Sequence, residues 1–444
     1  MQRPYFEAVR PVPSGERAAW YKSTFPTYFG IFLWVGFYLK LAEPTIGMAG
    51  FGPSLLALPL AGLLCFVLYY YVPAVLGMKT GRPLYVIGAS TFGTTGGYLI
   101  PGLLMGVLQL GWVAVISSVA VSFLMGGLHR TTRELFTVLV IVWIYGLAWV
   151  AVKGIRYVGR VAKFLNWIPF LMIVIVFFRN YSGIAAYRPP RNEPVAAFLN
   201  VITIVIGYFA TAGAAGADFG MTNRNRKDVA LGGIFGIVGG VVIAGVLPIF
   251  SVAGYIGQTG NTASYDYTIA IENVGALAPV MLFLFAAASL VPTCFSSFIA
   301  SNSFSTMLPS VPRGVSTFLG VTISALLVLT GVADNLVGFF SIVGASFGPI
   351  CGAIAADYLL EGRRWSGPRK GINWAGYFAW ALGFVAGVLD HIPGVPDRWI
   401  EIDNPAVLIS FGVGFLVYLV LARLGFRPSL LASGTELAEA TVDL

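Results

Sequence analysis

Gly207–Asp228 reads GYFATAGAAGADFGMTNRNRKD, and the fold turns on how this stretch is taken. It opens inside an apolar run, Val201–Ile206, that ought to continue as one helix. Instead Gly213, Gly216 and Gly220 follow among alanines, then comes Asp218, and the stretch ends in Arg224, Arg226 and Lys227. Each glycine weakens a helix by about 1 kcal/mol relative to alanine, and a carboxylate beside hydrocarbon is costly enough to mark a functional site by default. A membrane helix that opens next to polar groups is how many transporters build a midplane site.

The surrounding composition fixes the solvent. Of 444 residues, 57% are hydrophobic and only 10% charged, against about 25% charged in soluble domains; the mean hydropathy is +0.82. The chain reads as an all-α polytopic membrane protein. Apolar runs long enough to span recur near 25–47, 53–77, 96–125, 134–152, 161–178, 195–217, 229–254, 275–299, 315–332, 335–359, 372–390 and 404–424, predicting twelve transmembrane helices. No alternating ten-residue pattern points to a barrel. Met1–Tyr21 lacks the sequence of a cleavable signal. The expected organisation is a cytoplasmic segment 1–24, one transmembrane domain 25–424 and a cytoplasmic tail 425–444.

Basic residues set the topology. Arg3, Arg10, Arg17 and Lys22, Lys79 and Arg82, Lys153 to Lys163, Arg224 to Lys227, and Arg363 to Lys370 all fall on one side if the N-terminus is inside. The positive-inside rule then puts both termini in the cytoplasm of a multi-pass inner (plasma) membrane protein. The net charge of +8 is therefore a topology signal, not a nucleic-acid footprint.

A second interrupted span, LWVGFYLKLAEPTIGMAGFGP, carries Gly36, Pro44, Gly47 and Gly50. It stands five spans before the opening stretch, as expected if spans 1–5 and 6–10 are halves of inverted topology. Two readings of these glycines stand side by side: a site between broken helices, or close helix packing. The end of span eight supplies Thr293, Ser296, Ser297 and Asn302 in a chain short of such groups. The hydroxyls share a helix face and suit Na⁺; Asn302 offers one acceptor and two donors to a ring edge. Interhelical hydrogen bonding by small polar residues accounts for them equally well.

The pattern Thr-x-x-Ser-Ser-x-x-x-x-Asn at 293–302 resembles the eighth-helix signature of the nucleobase–cation symporter-1 family, permeases for cytosine, purines, uracil, allantoin and hydantoins. Ser90–Trp112, ending in Gly-Trp, is similar to its third helix; GYF…ADF…NRNRKD to its sixth; and GASFGPICGAIAADY, Gly344–Tyr358, to its tenth. The resemblance implies the leucine-transporter-type fold, a five-plus-five inverted repeat with helices 1 and 6 broken and two further C-terminal helices. It implies import of a small nitrogen heterocycle by cation symport, with no cofactor beyond Na⁺ as coupling ion. The implied partners are that heterocycle and membrane lipid, and the oligomeric state is left open. By the same resemblance Trp112 and Phe209, beside Tyr208, are plates for the ring, and Asn302 bonds its edge. Thr293 (by its carbonyl), Ser296 and Ser297 hold the cation with first-helix carbonyls near Gly36 and Leu39. Asp218 is expected to anchor the inner end of helix six to nearby arginines.

Two departures stand out. Some members carry a glutamine four residues after the third-helix tryptophan, where this chain has Ile116, which favours a cytosine-permease-like branch over a hydantoin carrier. Lys40 and Glu43 lie inside the broken first helix at pairing distance in sequence, and so are candidates for H⁺ coupling, against a snorkelling lysine and an outer-end glutamate.

An amino-acid or other small-solute symporter of the same fold is the alternative. A membrane enzyme needs clustered ligands, yet His129 and His391 lie near outer ends; a channel calls for repeated pore segments or charge rings. Cys65, Cys294 and Cys351 sit in apolar runs and read as buried small residues. Tyr69–Tyr71 are expected in the headgroup belt.

Overall fold

A computed structural model describes residues 10–153, 167–307, 311–396 and 405–431. Residues 1–9, the basic Arg156, Arg160 and Lys163, the start of the fifth expected span (161–166), Arg398, and 432–444 of the tail lie outside them. Each of the twelve apolar runs contains an apolar helix, though the first run (25–47) is helical only at its start: α1 (Thr24–Leu33), α2 (Phe51–Thr80), α3 (Ala89–Gly127), α4 (Arg133–Lys153), α5 (Trp167–Asn180), α6 (Pro194–Ala214), α7 (Arg226–Thr259), α8 (Gly275–Phe304), α9 (Arg313–Leu329), α10 (Leu336–Leu360), α11 (Trp374–Gly387) and α12 (Ala406–Arg423). Among the described residues nine are long and apolar enough to span a membrane, α5 by its continuation to Ala186; α1 and α9 are shorter apolar helices, and α11 has 14 residues. Large apolar side chains such as Leu56, Phe178 and Leu319 are exposed on the outer surface, as lipid contact requires.

The first break is long. After α1 the backbone turns extended at Trp34 (φ −67°, ψ 129°), makes one 3-10 turn at Val35–Phe37, and stays irregular until Phe51. Glu43 precedes Pro44, a position biased away from helix. The sixth helix is less broken than its glycines foretold. It runs through Gly207 and Gly213 to Ala214, is interrupted at Ala215, and resumes briefly as Gly216–Gly220.

Those glycines mainly bring backbones together. A Cβ on Gly213 would lie 2.6 Å from Tyr69 Cβ, and one on Gly220 would lie 2.2 Å from the Ala74 carbonyl oxygen. From the other side, a Cβ on Gly77 of α2 would lie 2.1 Å from the Ala217 carbonyl oxygen. Helix propensity is given up for contact along the α2–α6 seam, the usual trade in membranes.

The second helix of each half carries a π-turn, Cys65–Tyr70 in α2 and Ile234–Val238 in α7. The two meet where Gly233 leaves room for the rings of Phe66 and Tyr70. Tyr69 and Tyr70 are consequently fully buried, not in a headgroup belt. Their hydroxyls donate to the carbonyls of Val407 (2.7 Å) and Val229 (3.0 Å), satisfying groups that burial would otherwise leave costly.

Two packing groups result: α1, α2, α6 and α7 in one, α3, α4, α8 and α9 in the other, with α10–α12 flanking α6. An amino-terminal ribbon is laced to the first group. Val12 N–H donates to the Gly81 carbonyl (3.0 Å) and Ala18 N–H to that of Thr222 (2.8 Å). Arg17 Nη1 reaches the Met78 carbonyl at 2.8 Å, and Trp20 N–H the Asp228 carboxylate at 3.1 Å.

Candidate functional site

A cavity of about 730 Å³ lies between the two groups, walled by α1, α3, α6 and α8. It runs from Lys22 and Thr222 at the basic end down to Trp34, Trp112 and Tyr208. α3 presents Gln109, Trp112 and Ile116 to it, three positions that share a face at i, i+3 and i+7. The Trp112 indole N–H donates to Thr211 Oγ1 at 3.1 Å, which fixes the ring. Its neighbours are Tyr208 edge-on (5.5 Å between centroids, 88°), Trp34 edge-on (6.2 Å, 76°) and Phe340 stacked (5.6 Å, 30°).

On α6 the cavity face is Tyr208, Thr211, Ala212 and Ala215. The Tyr208 hydroxyl donates to the Ile31 carbonyl, joining α6 to α1. Phe209 lies about 100° further round the helix. It is fully buried and stacked on Phe32 (5.5 Å, 14°), so it does not face the cavity. The aromatic wall of α6 is Tyr208 in place of Phe209.

α8 is bent at Ser289 and gives Ala288, Pro292, Phe295, Ser296 and Ile299 to the wall. Ser297 is fully buried and its hydroxyl has no hydrogen-bond partner; such an orphaned oxygen suits a small cation. The Thr293 hydroxyl is committed, donating to the Ser289 carbonyl (2.7 Å) and accepting from Trp143 Nε1 (3.4 Å). Gly36 is buried beneath the Trp34 ring, and the Leu39 carbonyl accepts Tyr267 N–H at 3.0 Å. Asn302 sits beyond Ile299, exposed and off the cavity wall.

Lys40 and Glu43 belong to a different place. They line a second cavity of about 600 Å³ together with Arg191, Asp334 and Asn335. Lys40 pairs with Asp266 at 2.6 Å, its side chain 47% exposed, and not with Glu43. The spacing argument failed because Asp266, distant in sequence, caps the short helix Tyr267–Glu272 against the broken segment. Asp218, just past the end of α6, accepts the Leu84 N–H at 3.2 Å. The expected arginine anchor goes elsewhere: Arg224 pairs with Asp228 at 2.9 Å. Burial pushes the Asp218 carboxyl up to about 6.

Sequence reasoning missed Trp34, Gln109 and Thr211. Gln109 was findable: it stands one helical turn before Trp112, as Ile116 stands one turn after it. Its amide can both donate to and accept from a ring edge.

No family model matches the chain. Curated relatives do. The cytosine permease of Escherichia coli (strain K12) is 26% identical over 411 residues, 87% of this chain and 89% of that protein. The allantoin permease of Bacillus subtilis (strain 168) is 24% identical over 276 residues, 56% of this chain and 54% of that one. Among solved structures, Mhp1, a nucleobase-cation-symport-1 family transporter closed on bromovinylhydantoin, matches with TM-score 0.69 and 16% identity, covering 97% and 98% of the two chains. Its inward-facing form gives 0.70 at 15% identity, covering 98% of each. A Na⁺-coupled sialic acid symporter gives 0.61 at 12%, covering 92% and 91%.

Fold, cavity and matches together define a multi-pass membrane transporter of the leucine-transporter type, which works by alternating access and is not an enzyme. The chain is similar over most of its length to a cytosine permease and shares its fold with a transporter of the nucleobase-cation-symport-1 family.

Proposed function

We propose that the chain imports cytosine or a closely similar small nitrogen heterocycle by cation symport. The observation that carries this reading is the aromatic cavity, lined by Trp112, Tyr208 and Trp34 together with Gln109. Flat rings stack on aromatic faces, and base–aromatic stacking is worth about 1–3 kcal/mol per base. Gln109 supplies the edge recognition that Ile116 lacks. The names of the curated relatives, cytosine and allantoin permeases, support the same substrate class.

Na⁺ is the coupling ion in this reading. The donor set is Ser296 and Ser297 with the Thr293 carbonyl and the first-helix carbonyls near Gly36 and Leu39. The partnerless Ser297 hydroxyl supports it, as does the Na⁺ coupling of the sialic acid symporter that shares the fold. Lys40, engaged with Asp266 away from the aromatic cavity, is a poor proton-coupling group. The basic end, with Lys22 and Arg224, is cytoplasmic by the positive-inside rule, so both termini face inward and the aromatic cavity is open to the cell interior.

The test is a thermal-shift and binding screen of the purified protein against nucleobases, hydantoins and pyrimidine precursors, with and without Na⁺. Saturable cytosine binding that Na⁺ tightens is the expected result. Binding of an amino acid and of no heterocycle overturns the reading.

A further inference from the structure

We propose that Trp34 is both a wall of the substrate site and its link to the cation site, with Ser289 as the positioning residue between them. The proposal rests on the heterocycle-symport reading above and adds how the two sites communicate.

Trp34 marks the point where α1 breaks, and its ring lies in the cavity, nearly parallel to Tyr208 (6.3 Å between centroids, 14°) and edge-on to Trp112. A planar substrate lodged against Trp112 and Tyr208 must touch it. The ring is held from two sides. Beneath it is Gly36, where an added Cβ would lie 2.0 Å from Trp34 Cη2; any side chain there pushes the indole off its seat. At its edge, the indole N–H donates to Ser289 Oγ at 3.0 Å, with both groups buried.

Ser289 is the residue at which α8 bends, between Ala278–Ala288 and Leu290–Met307. Its hydroxyl donates in turn to the Phe285 carbonyl (3.2 Å). Its own carbonyl accepts the Thr293 hydroxyl (2.7 Å) and the Thr293 N–H (3.2 Å). Thr293 begins the turn that bears Ser296 and Ser297. Buried hydrogen bonds from the Trp34 ring to Ser289 and from Thr293 back to the Ser289 carbonyl thus join the ring that faces substrate to Thr293, whose own carbonyl is assigned to the cation and whose helical turn carries Ser296 and Ser297. A cation that tightens this turn of α8 fixes Ser289, and through it the angle of the Trp34 ring. The ring facing the substrate and the cation ligands therefore favour the same arrangement, and coupling is reciprocal by linkage.

The experiment measures cytosine affinity of the purified full-length protein at zero and saturating Na⁺ for wild type, Ser289→Ala, Ser289→Thr, Trp34→Phe and the Ser289→Ala/Trp34→Phe double variant. The expected outcome is that the factor by which Na⁺ tightens binding falls about fivefold or more, in the range of couplings between linked sites, in both Ser289→Ala and Trp34→Phe. The double variant falls no further, and Ser289→Thr, which keeps the hydroxyl, holds the wild-type factor. Trp34→Phe keeps an aromatic ring but drops the donor together with part of the indole, whereas Ser289→Ala leaves the indole whole, so agreement between the two separates the hydrogen bond from simple packing. A wild-type Na⁺ factor in Ser289→Ala, or single-variant effects that multiply in the double, overturns the proposal alone. Wild-type cytosine binding that Na⁺ leaves unchanged removes the coupling and leaves the heterocycle assignment standing, whereas failure of wild type to bind any heterocycle removes both.

Discussion

Adjacent aromatic residues on α6 have different surroundings: Tyr208 borders the cavity, while Phe209 is sealed against Phe32. Their substitution should separate binding from stability. Tyr208→Ala is expected to weaken cytosine binding about tenfold, within the range of one lost base–aromatic stack. Phe209→Ala should cost the fold about 3–5 kcal/mol, as for buried Phe in general, and show as a lowered melting temperature with affinity kept in the surviving fraction. A Phe209→Ala protein of wild-type stability and lost binding would reverse the assignment. The sequence could name an aromatic pair here but not which member faces inward, because a one-residue change of register turns a helix by about 100°. Asp218 gives a pH test at the same scale. Its carboxyl stands raised from 3.8 to about 6, so between those values the folded protein binds a proton that the unfolded chain does not. Stability therefore rises as pH falls through that window, and the burial penalty is felt in full above about 6. Asp218→Asn should lack this rise when melting is followed from pH 7.5 to 5; parallel curves would refute it.

Among the elements, the seam between α2 and the end of α6 has the least tolerance. Gly220 faces backbone, with the Ala74 carbonyl oxygen 2.2 Å from where a Cβ would stand, and backbone cannot step aside as a side chain does. Gly220→Val is expected to give little folded protein by size-exclusion fluorescence. Gly239→Val should be well tolerated, since no atom lies within 4 Å of its added Cβ. The glycine run was visible in the sequence; its meaning was not, since a helix that opens and a helix that packs closely call for the same residue. The first break was easier to read, because Pro44 adds a restriction that packing does not need. The π-turns of α2 and α7 left no mark in the hydropathy pattern, and so Tyr69 and Tyr70 were misplaced.

At the scale of the molecule, the span pattern located the apolar helices but overran the first of them, whose expected span 25–47 is helical only over Thr24–Leu33. Pairings across long separations stayed hidden: Lys40 meets Asp266, and no local spacing announces it. The two cavities, one beyond Trp34 and Tyr208 and one beyond Lys40 and Glu43, are lined by different residues. Cysteines introduced at Thr222 and Lys40 should therefore react with a membrane-impermeant maleimide from opposite faces of sealed vesicles. The native cysteines are all buried, which keeps the background low. Reaction of both from one face would refute the two-sided arrangement and the inward orientation with it.

The amino-terminal ribbon offers a handle on the transport cycle. Its hydrogen bonds run to the end of α2 and the turn after it, the α6–α7 connection and Asp228, and among the described residues none joins it to α4, α8 or α9. When the two packing groups rock, the ribbon must ride with α1, α2, α6 and α7 as a passenger. A fluorophore at exposed Ser14, paired with an acceptor at the start of α9, would then act as a distance gauge for turnover, placed clear of the path the substrate takes.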